Sequence, residues 1–118
     1  MTQRQERVEE LLKVEISEIL QREMQDPRLG FVTITDVEIT PDLRHARVFV
    51  SIMGDDEKKK TGMKALKSAA GFIRGELGKR VRMRVTPELE FKVDESIDRG
   101  VRIFELLEQL KKDEPKQE

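Results

Sequence analysis

Apolar residues recur at helical spacing through the first part of the chain: Val8, Leu11, Leu12, Ile16, Ile19 and Leu20, with glutamates and arginines between them. Such a stripe predicts an amphipathic helix from about Gln3 to Met24. Asp26-Pro27 and Gly30 end it, because proline restricts the residue before it and glycine supports a turn. The pattern then changes to alternation. Phe31 to Thr40 reads as a strand, with Val32 and Ile34 on one parity and Val37 and Ile39 on the other. That phase change near Thr35-Asp36 predicts a bulge or bend, since one extra residue exchanges the two faces of a strand. Thr40-Pro41-Asp42-Leu43 reads as a turn. A second strand follows from His45 to Ile52, with Ala46, Val48, Val50 and Ile52 facing the core and His45, Arg47, Phe49 and Ser51 facing away. So short a connection makes the two strands an antiparallel hairpin.

Met53 to Thr61 is polar and leads into a helix near Asp55 or Asp56. The helical pattern runs from Lys58 to about Leu77 and is interrupted by Gly71, which predicts a kinked pair of helices. Val81 to Val93 alternates again, with Pro87 marking an edge position or a break. A last helix is expected from Ser96 through Lys111, with Ile97, Val101, Phe104, Leu107 and Leu110 along one side. The order helix, strand, strand, helix, helix, strand, helix describes an α+β fold around a three-stranded sheet. It fits a single domain over residues 1–110 with a flexible, charged tail at 111–118.

The central helical segment carries two stripes. Met63, Leu66, Ala70, Ile73 and Leu77 form the core-facing one. Lys60, Lys64, Lys67, Gly71 and Arg74 form the other, and at about 100° per residue the two are centred roughly 100° apart. A solvated helix normally mixes signs to gain i,i+4 pairs, worth about 0.3–0.5 kcal/mol each. This row forgoes them, which points to a polyanionic partner. Glycine inside a helix costs about 1 kcal/mol relative to alanine, so Gly71 marks a kink or a close backbone approach. Gly78 reads as the C-terminal cap of this helix.

Composition sharpens that picture. Charged residues make up 40% of the 118, yet the net charge is −1, so total charge alone does not point to nucleic acid. The distribution does. Residues 58–84 carry ten basic groups against Glu76 alone, a local charge of +9, while the flanking segments are acidic. The chain has no cysteine, which removes disulfides, thiolate metal sites and a cysteine nucleophile. The first ten residues are polar with no apolar leader, and no run approaches membrane-spanning length, so a cytoplasmic protein is expected.

Ala69-Ala70-Gly71-Phe72-Ile73-Arg74 and Val81-Arg82-Met83-Arg84-Val85-Thr86-Pro87-Glu88-Leu89-Glu90-Phe91 closely resemble bacterial ribosome-binding factor A. The likeness extends to Asp26-Pro27-Arg28, Thr33-Ile34-Thr35-Asp36-Val37, Asp42-Leu43, Ala46-Arg47-Val48-Phe49-Val50-Ser51, Asp94 and Ser96. The resemblance implies a type II KH-like fold (α-β-β-α-α-β) in which an Ala-x-Gly kink, here Ala69-Ala70-Gly71, stands in place of the GxxG loop. It also implies a role without catalysis: binding the free 30S small ribosomal subunit late in assembly, promoting maturation of the 5′ end of 16S rRNA, with a link to cold adaptation. No cofactor is implied, and the protein is expected to act as a monomer. A functional link to an assembly GTPase is left open.

On this reading Lys60, Lys64, Lys67 and Arg74 contact phosphates, Ala69 and Gly71 permit close approach, and Lys79, Arg80, Arg82 and Arg84 extend the patch. Gly75-Glu76-Leu77-Gly78 is a literal GxxG, but Leu77 belongs to the apolar stripe and Glu76 would repel phosphate. His45, the only histidine, lies on the outward parity with no orienting partner in view, so it reads as a surface residue. The five phenylalanines include no pair placed for stacking on the sheet, though Phe49 and Phe72 face away from the core parity. Two other classes compete. A protein–protein module would offer the basic row to an acidic partner, and ribonuclease sensitivity separates it from an RNA binder. A small acylphosphatase-like hydrolase would need a catalytic asparagine, and the chain contains none.

Overall fold

The computed structural model describes residues 2–24, 26–95 and 107–108. The first helix, α1, spans Gln3–Arg22. Thr2 caps it in a capping box: its hydroxyl accepts from the Gln5 amide, and the Gln5 side chain accepts from the Thr2 amide. Its inner face buries Leu12, Ile16, Ile19 and Leu20. A fully buried side chain of this size contributes about 1.5–3 kcal/mol, so this stripe is what seats the helix.

The strands β1 (Val32–Ile39) and β2 (His45–Ile52) form the antiparallel hairpin read from the alternation. The expected bulge is present. Ile34 pairs with Val50 and Asp36 with Phe49, which leaves Thr35 as the extra residue. Ile34, Val37 and Ile39 are therefore all buried although they differ in parity. The Thr35 hydroxyl donates to Asp94 Oδ2 at 2.6 Å and so ties the bulge to the residue just beyond the third strand.

The turn between β1 and β2 holds Leu43 at φ 61°, a left-handed conformation that costs a residue with a side chain about 1–3 kcal/mol. Local bonds hold it there. The Leu43 amide donates to the Thr40 carbonyl at 2.8 Å, and Asp42 Oδ1 accepts from the Thr40 hydroxyl at 2.6 Å and the Arg44 amide at 3.1 Å. Leu43 itself packs against the core.

The second helix, α2, spans Asp56–Arg80 and starts at Asp55, whose carboxylate accepts from the Lys58 amide at 2.9 Å. It runs as one helical element through Gly71, so the expected division into two helices is corrected. Gly78 is corrected too: the cap is Val81, and Gly78 lies inside the helix. Its small size serves packing instead, since a Cβ there would stand 3.0 Å from the Thr86 hydroxyl oxygen.

The third strand, β3, is Glu88–Val93, shorter than the Val81–Val93 alternation predicted. It pairs parallel with β2, giving the order β1-β2-β3. Residues 81–87 form no ladder. Thr86 gives its carbonyl to Arg74, Pro87 is buried and has no amide to donate, and pairing begins when the Glu88 amide meets the Arg44 carbonyl at 2.8 Å. Val85 is consequently exposed rather than sheet-buried.

Both helices cover the same face of the sheet, with α1 chiefly over β1 and α2 over β3. One core joins them, from Leu12, Ile16 and Ile19 through Val48 and Val50 to Leu66, Ile73 and Leu77. The expected last helix, Ser96 through Lys111, and the tail at 111–118 lie outside the described residues apart from Leu107 and Glu108.

Candidate RNA-binding face

Burial of Leu66, Ile73 and Leu77 fixes the rotation of α2 and turns its basic row outward. Lys60, Lys64 and Lys67 are exposed and make no ion pair among the described residues. Gly71 continues the row, also exposed. Among the described residues a Cβ at Gly71 would meet nothing within 4 Å, so none of them requires glycine there. Ala69 and Ala70 are half-buried against the core. Among the described residues the row thus presents three cations without an ion pair and, at Gly71, an exposed backbone position.

The stretch from Arg74 to Arg80 behaves differently. Arg74 is half-buried and donates Nε and Nη2 to the Thr86 carbonyl at 3.2 and 2.8 Å, bracing the connector to β3. Lys79 is exposed but pairs with Glu76 at 3.2 Å. Arg80, expected to extend the patch, is turned the other way. It lies among Glu15 (3.6 Å), Glu18 (3.4 Å) and Glu23 on the α1 side of the core, binding Glu23 most closely. That bond holds the Glu23 carboxyl below its ordinary value and raises Arg80 above its own. Arg80 is therefore a clasp between the helices and not part of the face. The signal missed in the sequence was long-range, because its partners lie some sixty residues away, as in the Glu18 bond with a separation of 62.

Arg82 and Arg84 are exposed and make no ion pair among the described residues, but they do not continue the lysine row. They follow the end of α2, and at about 1.5 Å per residue the helix from Lys67 to Arg80 alone spans roughly 20 Å.

The GxxG at Gly75–Gly78 lies wholly inside α2 with Leu77 fully buried, so it forms no loop. His45 is on the open face of the sheet with Nδ1 3.7 Å from Glu88 Oε2, beside an Arg47–Glu90 pair at 4.0 Å. Phe49 is half-buried on that face, and Phe72 is half-exposed on α2. Sequence reasoning missed one apolar feature. Phe31 is 79% exposed and Met53 76%, joined by the Met53 amide donating to the Phe31 carbonyl at 3.0 Å. No signal in the pattern distinguished Phe31 from an ordinary strand residue.

Similarity to known proteins agrees with this architecture. The family model for ribosome-binding factor A matches residues 4–107. The ribosome-binding factor A of Halothermothrix orenii is 51% identical over 112 residues, covering 95% of this chain and 92% of its own. That of Natranaerobius thermophilus is 55% identical over 107 residues, covering 91% and 82%. The crystal structure of ribosome-binding factor A from Thermus thermophilus superposes with a TM-score of 0.68 at 31% identity, over 75% of this chain and 94% of that one. A model of the Thermus thermophilus factor fitted into the cryo-EM map of its complex with the 30S subunit matches with a TM-score of 0.64, also at 31% identity, over 75% and 93%. With the family model spanning nearly all of the sequence and curated relatives at half identity, the chain belongs to the ribosome-binding factor A family.

Proposed function

We propose that this protein binds the free 30S small ribosomal subunit as a monomer in the cytoplasm and promotes late maturation of 16S rRNA, including its 5′ end, without catalysing cleavage. The observation that carries the reading is the row of Lys60, Lys64 and Lys67 on a member of this family, exposed and without an ion pair among the described residues. A related factor has been fitted into density for its 30S complex, which supports the same partner here. The lysines contact rRNA phosphates, and Ala69 and Gly71 leave room for the backbone of the RNA. Arg74 holds the adjoining connector in place.

Action is conformational. A protein that binds one arrangement of immature rRNA more tightly than another shifts the population by that difference in affinity and no more. Cleavage belongs to separate nucleases. A link to cold adaptation follows naturally, since misfolded rRNA arrangements persist longer when thermal escape is slow.

Co-sedimentation with small subunits, large subunits and joined ribosomes across a salt series tests the proposal. Binding confined to free small subunits and weakening steeply with salt is the expected result. Failure to sediment with small subunits even at low salt would overturn it. Survival of the complex after ribonuclease digestion would favour a protein–protein module instead.

A further inference from the structure

The end of the molecule far from the lysine row gathers four arginines that lie far apart in the sequence. Arg4 comes from the first turn of α1, Arg44 from the end of the hairpin turn, and Arg82 and Arg84 from the connector between α2 and β3. Together with Val8, Asp42, Leu43, Met83 and Val85 they line a cavity of about 470 Å³. All four are exposed and make no ion pair among the described residues. Among the described residues Asp42 is the one acidic member of the lining, and its Oδ1 is already occupied by the Thr40 hydroxyl and the Arg44 amide. The lining therefore keeps a strong positive excess.

Two features mark the cavity as a prepared site rather than a chance crowding of charge. Part of its lining is apolar, Val8, Leu43 and Met83 being half-buried against the core, which suits a ribose or base beside a phosphate. Its geometry is also stiff. Leu43 is held at φ 61° by the bonded turn, and Arg74 fixes the connector through the Thr86 carbonyl. Guanidinium groups present planar, forked donors that match phosphate oxygens. Between this cavity and the lysine row, the intervening cations are committed inward or paired: Arg74 to Thr86, Lys79 to Glu76, Arg80 to the glutamates.

We propose that Arg4, Arg44, Arg82 and Arg84 form a second RNA anchor, which grips a backbone phosphate and its nucleotide on an rRNA segment distinct from the one held by Lys60, Lys64 and Lys67. The inference rests on the proposed small-subunit binding. It makes the protein a two-ended brace, holding two segments of rRNA at a separation set by the rigid length of α2, roughly 20 Å or more.

Because the chain has no cysteine, single-cysteine variants can carry a tethered hydroxyl-radical source at one chosen point. Ser68→Cys places it beside the lysine row and Val85→Cys on the rim of the arginine cavity, and both keep every arginine and lysine. With purified small subunits, the two tethers are expected to cut two separate rRNA segments. The quadruple Arg4→Ala, Arg44→Ala, Arg82→Ala, Arg84→Ala variant, checked for an unchanged melting temperature, should lose affinity. Its salt dependence should flatten by about 0.7–0.9 in logarithmic slope per phosphate contact removed. Cutting from Ser68→Cys but none from Val85→Cys, with full affinity in the arginine variant, would overturn the second anchor and leave the proposed function standing. Loss of affinity without any rRNA cutting from Val85→Cys would also overturn it, in favour of an acidic protein surface. If the unaltered protein fails to bind small subunits, the proposed function itself fails.

Discussion

Two stretches of α2, Lys60–Lys67 and Arg74–Arg80, hold three basic residues each but use them in opposite ways. From Lys60 to Lys67 the cations face solvent without an ion pair among the described residues, and from Arg74 to Arg80 they bind a carbonyl, a neighbouring glutamate or the carboxylates of α1. A cation whose charge is neutralised inside the molecule has little left to offer a polyanion, whereas an unpaired one keeps its whole field for the partner. Local charge density alone therefore overstates a binding face. What counts is the share of that charge the fold has not already consumed.

The largest effect that separates the two stretches should come from Lys60→Glu, Lys64→Glu and Lys67→Glu together. Small-subunit binding should fall roughly 100-fold or more in co-sedimentation, while the melting temperature and circular dichroism spectrum stay as they were. An unchanged affinity would move the face elsewhere on the molecule.

A smaller effect is expected at Gly71, between the two stretches. Gly71→Ala meets no described residue, so it should raise stability by about 0.5–1 kcal/mol through helix propensity. It should nevertheless weaken small-subunit binding by about a factor of ten, the equivalent of about 1.4 kcal/mol. Gly75→Ala, which also meets no described residue within 4 Å, should match the gain in stability without the loss of binding. Equal binding by both variants would remove close backbone approach from the account.

The smallest effect belongs to the inward stretch. Arg80→Ala should lower the melting temperature by a few degrees at neutral pH and leave small-subunit affinity intact. Glu23 is held below its ordinary value of 4.5, first by its hydrogen bond with Arg80. A depressed carboxyl contributes stability that is complete above its ordinary value and lost as pH falls through the lowered one. The gap between Arg80→Ala and the parent should therefore close under acid, below pH 4.5. A gap that persists unchanged to the most acid point would mean the clasp acts by packing and not by charge.

Periodicity exposed α1, the hairpin and even its bulge in the sequence, because those features depend on residues a few positions apart. The bulge was legible because Val32 and Ile34 stand on the opposite parity from Val37 and Ile39. The start of α2 was legible from Asp55. Its end was not, since whether Gly78 stops a helix or makes room for a neighbour depends on Thr86 folding back against it. The same limit governs the site. The lysine row follows from spacing along one helix, while the fate of Arg80 depends on α1. The company of Arg82 and Arg84 depends on Arg4 and on a leucine held left-handed in a distant turn.

The extra residue at Thr35 gives β1 a particular kind of tolerance. A polar replacement there leaves the count of residues intact, so the strand still presents Val37 and Ile39 to the core. Loss of the residue would close the ladder into a regular one, with Asp36 still opposite Phe49 and Val37 opposite Val48, and would remove the bond to Asp94. The bulge is thus the one point described in β1 where length can change by a residue while Val37 and Ile39 keep their place in the core; what its extra residue sets is the strand's bend and its tie to Asp94.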